Sequence, residues 1–165
     1  MRPEIKVYIA SKLEHAHKLA AIRQDGFHIN ARWIDMAEIG RKRLKPVTHW
    51  QQENFDDIEA AHFFILYLEP GDKLKGALFE LGYAVRAGKK CWIAGDGNGV
   101  DVPVQDGGPT ETIRLPHRDI MPWCGYRQSI RTALSLDQVF KEIRAIVHPE
   151  VQFKLTGDPI PPKEF

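Results

Sequence analysis

A run of six apolar residues at positions 63–68, F-F-I-L-Y-L, constrains the fold of this chain more than any other segment. A strand formed here is apolar on both faces, which is typical of a central strand in a parallel sheet. The run is far shorter than the roughly 20 residues that cross a bilayer. It therefore predicts a buried central strand and no membrane span.

Strand-like and helix-like segments alternate around this run. The predicted strands are 6–10, 27–33, 63–68 and 90–94, and the predicted helices are 13–24, 50–61, 76–88 and 135–147. Such β-α alternation predicts an α/β sandwich around a parallel sheet. Residues 38–45 are predicted to be a basic, mobile connection. The Gly-, Pro- and Asp-rich segment 95–127 is predicted to form loops with one strand at 112–115.

Length and charge restrict the class of partner. The chain has 165 residues, of which 43% are hydrophobic, and this predicts one domain over 1–150 followed by an extended Pro-rich tail over 151–165. Lys and Arg number 23 against 22 Asp and Glu, a net charge of +1. This balance argues against nucleic acid or a membrane surface as partner and leaves a small molecule.

The cellular setting is also expected from the sequence. No apolar signal-peptide segment is present in the first residues, and Cys91 and Cys124 form no C-x-x-C pair. These features favour a cytoplasmic location. The histidines show no ligand spacing, so we expect neither a metal nor another cofactor.

The carboxyl ends of the strands are where a parallel α/β sheet binds its ligand. Three segments follow predicted strands: 10–12, 69–80 and 95–99. In the second, Gly76 permits close approach of a ligand, and Glu80 lies in the first turns of a helix, whose positive end favours a charged carboxylate. Two interpretations of Glu80 stay open, a solvated partner of the helix dipole and a nucleophile.

The segment 76–89, G-A-L-F-E-L-G-Y-A-V-R-A-G-K, resembles the E-L-G-Y-A signature of the nucleoside 2-deoxyribosyltransferase family. The segments K-V-Y-I-A-S at 6–11 and I-E-A-A-H-F-F-I-L-Y at 58–67 are similar to that family in the same order. The resemblance covers roughly residues 5–95. It implies a flavodoxin-like, doubly wound parallel sheet of about five strands with helices on both faces.

The resemblance implies a reaction as well. Glu80 is expected to attack the anomeric carbon of a 2-deoxyribosyl group, and Tyr8 is expected to hold this carboxylate in position. The family's aspartate that helps to protonate the leaving base corresponds to Asn54 in this chain, and an amide is not a general acid. Three aspartates are therefore the candidates for acid–base help: Asp56, Asp57 and Asp72.

Substrate-binding residues are expected around this nucleophile. Ser11 and Lys12 suit an anion such as a phosphate, and Trp33 is the first choice for a surface on which a base stacks. The remaining expected substrate contacts are Asp35, Asn54, Asp72 and Gly76.

Three functions stay open at this point. The first is transfer of deoxyribose from one nucleobase to another. The second is hydrolysis of 2′-deoxynucleoside 5′-monophosphates, an activity of related enzymes with the same fold and nucleophile. The third is a nucleotide-binding or sensing domain without catalysis. The resemblance also implies a homo-oligomer, a dimer or larger, in which a neighbouring subunit completes the site.

Overall fold

Five parallel strands form the central sheet of the computed structural model, which describes residues 4–39, 47–69, 72, 76–95, 100–103, 112–115 and 130–149. The strands of the chain are β1 (Ile5–Ala10), β2 (Phe27–Ile29), β3 (Phe63–Tyr67), β4 (Lys90–Ala94), β5 (Val100–Pro103), β6 (Thr112–Leu115) and β7 (Ile130–Ala133). The sheet has the order β2-β1-β3-β4-β7, and every neighbouring pair is parallel. This confirms the predicted flavodoxin-like α/β fold.

The apolar run forms the middle of this sheet. Every residue of β3 is buried, and β3 pairs with β1 on one side and β4 on the other. β3 therefore presents apolar side chains to both faces of the sheet, which requires helices on both faces.

Helices cover the two faces. They are α1 (Ala16–Ala20), which follows a 3₁₀ turn (Leu13–His15), α2 (Arg32–Ile39), α3 (Val47–Ala60), α4 (Gly76–Arg86) and α5 (Leu136–Val147). On one face, the Nε1–H of Trp92 in β4 donates to Glu142 of α5 at 2.8 Å. On the other, Tyr8 of β1 lies close to Glu80 of α4. Among the described residues, no helix is both long enough and apolar enough to cross a membrane.

The second strand is shorter than predicted. It ends at Ile29 rather than at position 33, and α2 begins at Arg32. The reason is a cap from a distant part of the chain, since the Asp57 carboxylate accepts the backbone N–H of Arg32 at 2.9 Å and starts a helix there. Trp33 therefore lies on a helix.

Other boundaries also differ from the predictions. The helix predicted over 13–24 is α-helical only from Ala16 to Ala20, and the helix predicted from position 50 begins at Val47. The strand at Thr112–Leu115 is confirmed; it pairs with the unpredicted β5 in an antiparallel ribbon. Residues 38–39 belong to α2, whereas positions 40–45 of the predicted connection and the predicted tail 151–165 lie outside the described residues.

Candidate active site

A cavity of about 510 Å³ opens at the carboxyl ends of the strands, between the turn after β1, helices α2 and α3, and the start of α4. Its volume is in the range of small-molecule sites. Six of the residues predicted from the sequence line it: Ser11, Lys12, Trp33, Asn54, Gly76 and Glu80. Four further residues line it: Leu13, Glu14, Trp50 and Ala77. Leu13, Glu14 and Ala77 could have been predicted because each lies within two positions of a predicted residue, Lys12 or Gly76.

Glu80 is the half-buried acid of this cavity. Burial raises the pKa of its carboxyl to about 7, against the opposing effect of the hydrogen bond from Asn54 and of the neighbouring Tyr8 hydroxyl. The sequence argument that the helix start keeps Glu80 charged is therefore incomplete. Glu80 is the fifth residue of α4, and at that depth burial outweighs the helix dipole.

Tyr8 lies against Glu80 from the sheet side. Its ring is fully buried and stacks on Phe64, with ring centroids 5.7 Å apart. The Tyr8 hydroxyl forms no well-aligned hydrogen bond to the described part of the chain. Burial first, and then the nearby Glu80 carboxylate, raise the pKa of Tyr8. Tyr8 is therefore a neutral hydroxyl beside the candidate nucleophile, the position that the resemblance implies for it.

Two tryptophans line the cavity. The Nε1–H of Trp33 donates to the carbonyl oxygen of Ile9 at 2.8 Å, which fixes the indole at the end of β1. Trp50, in α3, is half-buried, and its Nε1 finds no acceptor within the described ranges. Indole faces offer large apolar surface on which a planar base stacks. Trp33 is thus in the predicted location, and Trp50 is a second surface of the same kind.

The turn after β1 contributes the charged part of the lining. Lys12 lies 2.6 Å from the Glu14 carboxylate and 3.4 Å from that of Asp72. The bond to Glu14 is the main reason that the pKa of Lys12 is raised. The Ser11 hydroxyl donates to the carbonyl oxygen of Tyr67 at 2.8 Å. The one ammonium described in the lining therefore already has two carboxylate partners.

Asp72 lies behind the cavity lining. It is buried and accepts hydrogen bonds from the Glu69 backbone N–H and the His15 ring, each at 2.8 Å. Burial opposes its charged form, but these bonds and the Lys12 ammonium outweigh burial and lower the pKa of Asp72. Asp72 therefore anchors the loop that leads to α4 to the turn after β1.

The other predicted acids are placed elsewhere. Asp57 is buried, and its carboxylate binds Arg32 through Nε at 2.8 Å and through the backbone N–H. Asp56 is exposed and accepts from Gln52 at 2.9 Å. Asp35 is exposed and lines a different cavity of about 480 Å³ beside β2. The structure does not bring these three aspartates into the lining around Glu80.

Within the described ranges, no group of three or more His, Cys, Asp and Glu side chains has an arrangement that could hold a metal ion. A scan against protein-family models and a search of curated proteins find no match to this chain.

Proposed function

We propose that this chain cleaves the N-glycosidic bond of a 2′-deoxynucleoside through a covalent deoxyribosyl-Glu80 intermediate and transfers the sugar to another nucleobase. The observation that carries the proposal is the Glu80 carboxyl, which lies half-buried in the wall of a nucleoside-sized cavity with one oxygen bound by Asn54 at 2.8 Å. Two indoles in the same lining supply surfaces for a base, and the sequence resemblance points to the same residue.

The first half-reaction forms the intermediate. A Glu80 oxygen bonds to C1′ as the C1′–N bond breaks, and the electron pair of that bond leaves with the base, which takes up a proton from water in the cavity. The sugar has no 2′-hydroxyl, so the oxocarbenium-like transition state forms more readily. The reaction needs ionised Glu80. Since the pKa of Glu80 is about 7, the rate should rise with pH through neutrality.

The second half-reaction reverses the first with a new base. A ring nitrogen of the acceptor attacks C1′ from the face opposite Glu80, the C1′–O bond breaks, and the acceptor loses its N–H proton to water. Two inversions retain the configuration at C1′.

The charges of the lining favour an uncharged nucleoside over a 5′-monophosphate. Lys12 is engaged by Glu14 and Asp72. A phosphate next to Lys12 would therefore have to displace one carboxylate or accept repulsion from two. The monophosphate hydrolase stays the second candidate function because Ser11 and Lys12 do line the cavity.

A chromatographic assay tests the proposal. The chain is incubated with deoxynucleosides in the presence and absence of a free acceptor base, and then with the 5′-monophosphates. We expect a new nucleoside only when acceptor is present, and its loss in Glu80→Gln. The matched control is Glu59→Gln, an exposed residue of α3 whose bond to Tyr83 an amide oxygen can keep.

Other outcomes are equally informative. Free sugar phosphate from monophosphates would identify the hydrolase. Failure of every substrate with folded wild-type protein would favour a binding domain. Turnover that persists in Glu80→Gln would exclude Glu80 as the nucleophile.

We propose in addition that the active form is a homo-oligomer in a cytoplasmic setting. Two large apolar side chains near Glu80 are exposed, Leu13 by 58% and Phe79 by 73%. Leu13 lines the cavity and Phe79 precedes Glu80, so a neighbouring subunit that covers them would also close the site. Sedimentation equilibrium of wild type and Phe79→Ser tests this, and a monomeric wild type would contradict it.

A further inference from the structure

Asn54 makes the one direct side-chain hydrogen bond to Glu80 recorded in the described part of the chain. Its Nδ2 donates to Oε1 of the carboxylate at 2.8 Å. The bond has a fixed polarity, because an ionised carboxylate only accepts and the amide nitrogen only donates. Asn54 remains a donor at every pH and never releases a proton, unlike the carboxylic acid that the resemblance would place there.

The packing of α3 against α4 holds this pair together. Phe55, the residue after Asn54, stacks on Tyr83 of α4 with ring centroids 4.3 Å apart and planes at 14°. The Tyr83 hydroxyl donates back to Glu59 of α3 at 2.8 Å. These contacts lie beside the Asn54–Glu80 bond on the same two helices, so the bond does not depend on the Asn54 side chain alone for its geometry.

We propose that Asn54 is a positioning residue that occupies Oε1 of Glu80 and thereby leaves Oε2 as the oxygen that attacks. The inference deepens the proposed function and rests on it for the identity of the attacked carbon. Asn54 does not act as the acid for the leaving base. It selects a single orientation of a carboxylate that would otherwise rotate, which reduces the freedom lost in reaching the transition state.

The electrostatic consequence follows from the groups that face Glu80. These are Tyr8 from β1 and Asn54 from α3, and the charged residues Lys12 and Glu14 line the same cavity. Asn54 opposes the effect of burial on the pKa of Glu80, so its loss should move that pKa above 7. An aspartate at position 54 should move it further, since two carboxyl groups at hydrogen-bond distance share one proton.

Two readouts test the proposal in Asn54→Ala and Asn54→Asp. The first is the titration of the Glu80 carboxyl carbon by nuclear magnetic resonance, assigned with Glu80→Gln, which needs no turnover. The second is the pH dependence of kcat and KM for deoxynucleoside transfer. The matched control is Gln52→Ala, an exposed residue of α3 that binds Asp56 and does not line the cavity.

We expect the Glu80 midpoint to rise by about one pH unit in Asn54→Ala and by more in Asn54→Asp, with no change in Gln52→Ala. At neutral pH, kcat should fall about tenfold or more in both variants, with KM changed little. The rise of kcat with pH should move to the new midpoint of Glu80. Asn54→Asp keeps the size of the side chain, so it decides the question if Asn54→Ala does not fold.

The outcomes separate this inference from the proposed function. Because the titration requires no substrate, an inactive wild type with a shifted Glu80 midpoint in the variants would refute the transferase and support the Asn54 contact. Unchanged midpoints in folded variants would overturn the inference. The inference would also be overturned if the variants stayed active and the Glu80 titration midpoint shifted, but kcat and the rising part of its pH profile were the same as in wild type.

Discussion

Replacement of Glu80 by glutamine should make the folded chain more stable at neutral and alkaline pH. Burial raises the pKa of this carboxyl from 4.5 to about 7. Between these two values the folded chain retains a proton that the unfolded chain has released. The contribution of Glu80 to stability is therefore fully present below pH 4.5 and is lost as the pH rises through 7.

The magnitude follows from the same two values. The interval from 4.5 to about 7 corresponds to about 3 kcal/mol of unfolding free energy. Glutamine has no ionisation to lose, and its Oε1 still accepts the Asn54 amide. The stability of Glu80→Gln relative to wild type should thus be constant in acid and rise by up to about 3 kcal/mol by about pH 8.

Urea unfolding of both proteins from about pH 4 to about pH 8.5 measures this difference, with equal m-values as the check that both unfold in the same way. Each protein at acid pH is its own control, since the carboxyl and the amide are then both neutral. Two stability curves that stay parallel across the whole range would refute the reasoning, because Glu80 would then titrate alike in the folded and unfolded chains.

Four further substitutions test the structure outside Glu80. Gly95→Ala should cost about 3 kcal/mol of unfolding free energy, since Gly95 has φ +107° and an added Cβ would meet the Leu68 carbonyl oxygen. Gly88→Ala, at φ +71° with open space around it, should cost about 1 kcal/mol. Ser135→Ala removes the cap of α5 and should lower the unfolding free energy by about 1 kcal/mol. Asp57→Ala should cost about 1–3 kcal/mol through loss of the α2 cap and leave transfer activity in place; loss of activity at unchanged stability would instead support an acid role.

The correctly predicted strands are those whose own sequence is apolar enough to show that the strand is buried. In β3 and β4 nearly every position is apolar, and the sheet buries nearly every one. β7 was not predicted because its sequence, I-R-T-A, has no strong hydrophobic pattern. The pattern is weak because β7 lies at the edge of the sheet, where two of its four residues are exposed. Edge strands depend on a neighbour for their conformation, and that neighbour, β4, lies some 40 residues away.

The site was predictable to the extent that it follows from topology. Ser11, Lys12, Gly76 and Glu80 all follow strands that were correctly located, and parallel strands bring their carboxyl ends to one edge. The position of Asp57 was not predictable in this way. Its carboxylate caps a helix that begins 25 residues earlier in the chain, at Arg32, so no local pattern reveals that it is already engaged.

Two cavities in the described part of the chain, the one at Glu80 and the one beside β2, differ in a way that favours the one at Glu80 as the functional site. Their volumes are similar, about 510 and 480 Å³. The cavity beside β2 has an exposed carboxylate, Asp35, in its wall. At the other cavity the half-buried carboxyl of Glu80, with its raised pKa, lies next to the buried hydroxyl of Tyr8, which has no well-aligned hydrogen bond within the described residues. Desolvation of the carboxyl and the poor hydrogen bonding of the hydroxyl both oppose folding, and the buried core of β1 and β3 offsets that loss. Since a fold tolerates such local conflicts mainly where they serve a site, their concentration at Glu80 and Tyr8 is the strongest structural argument for chemistry at this end of the sheet.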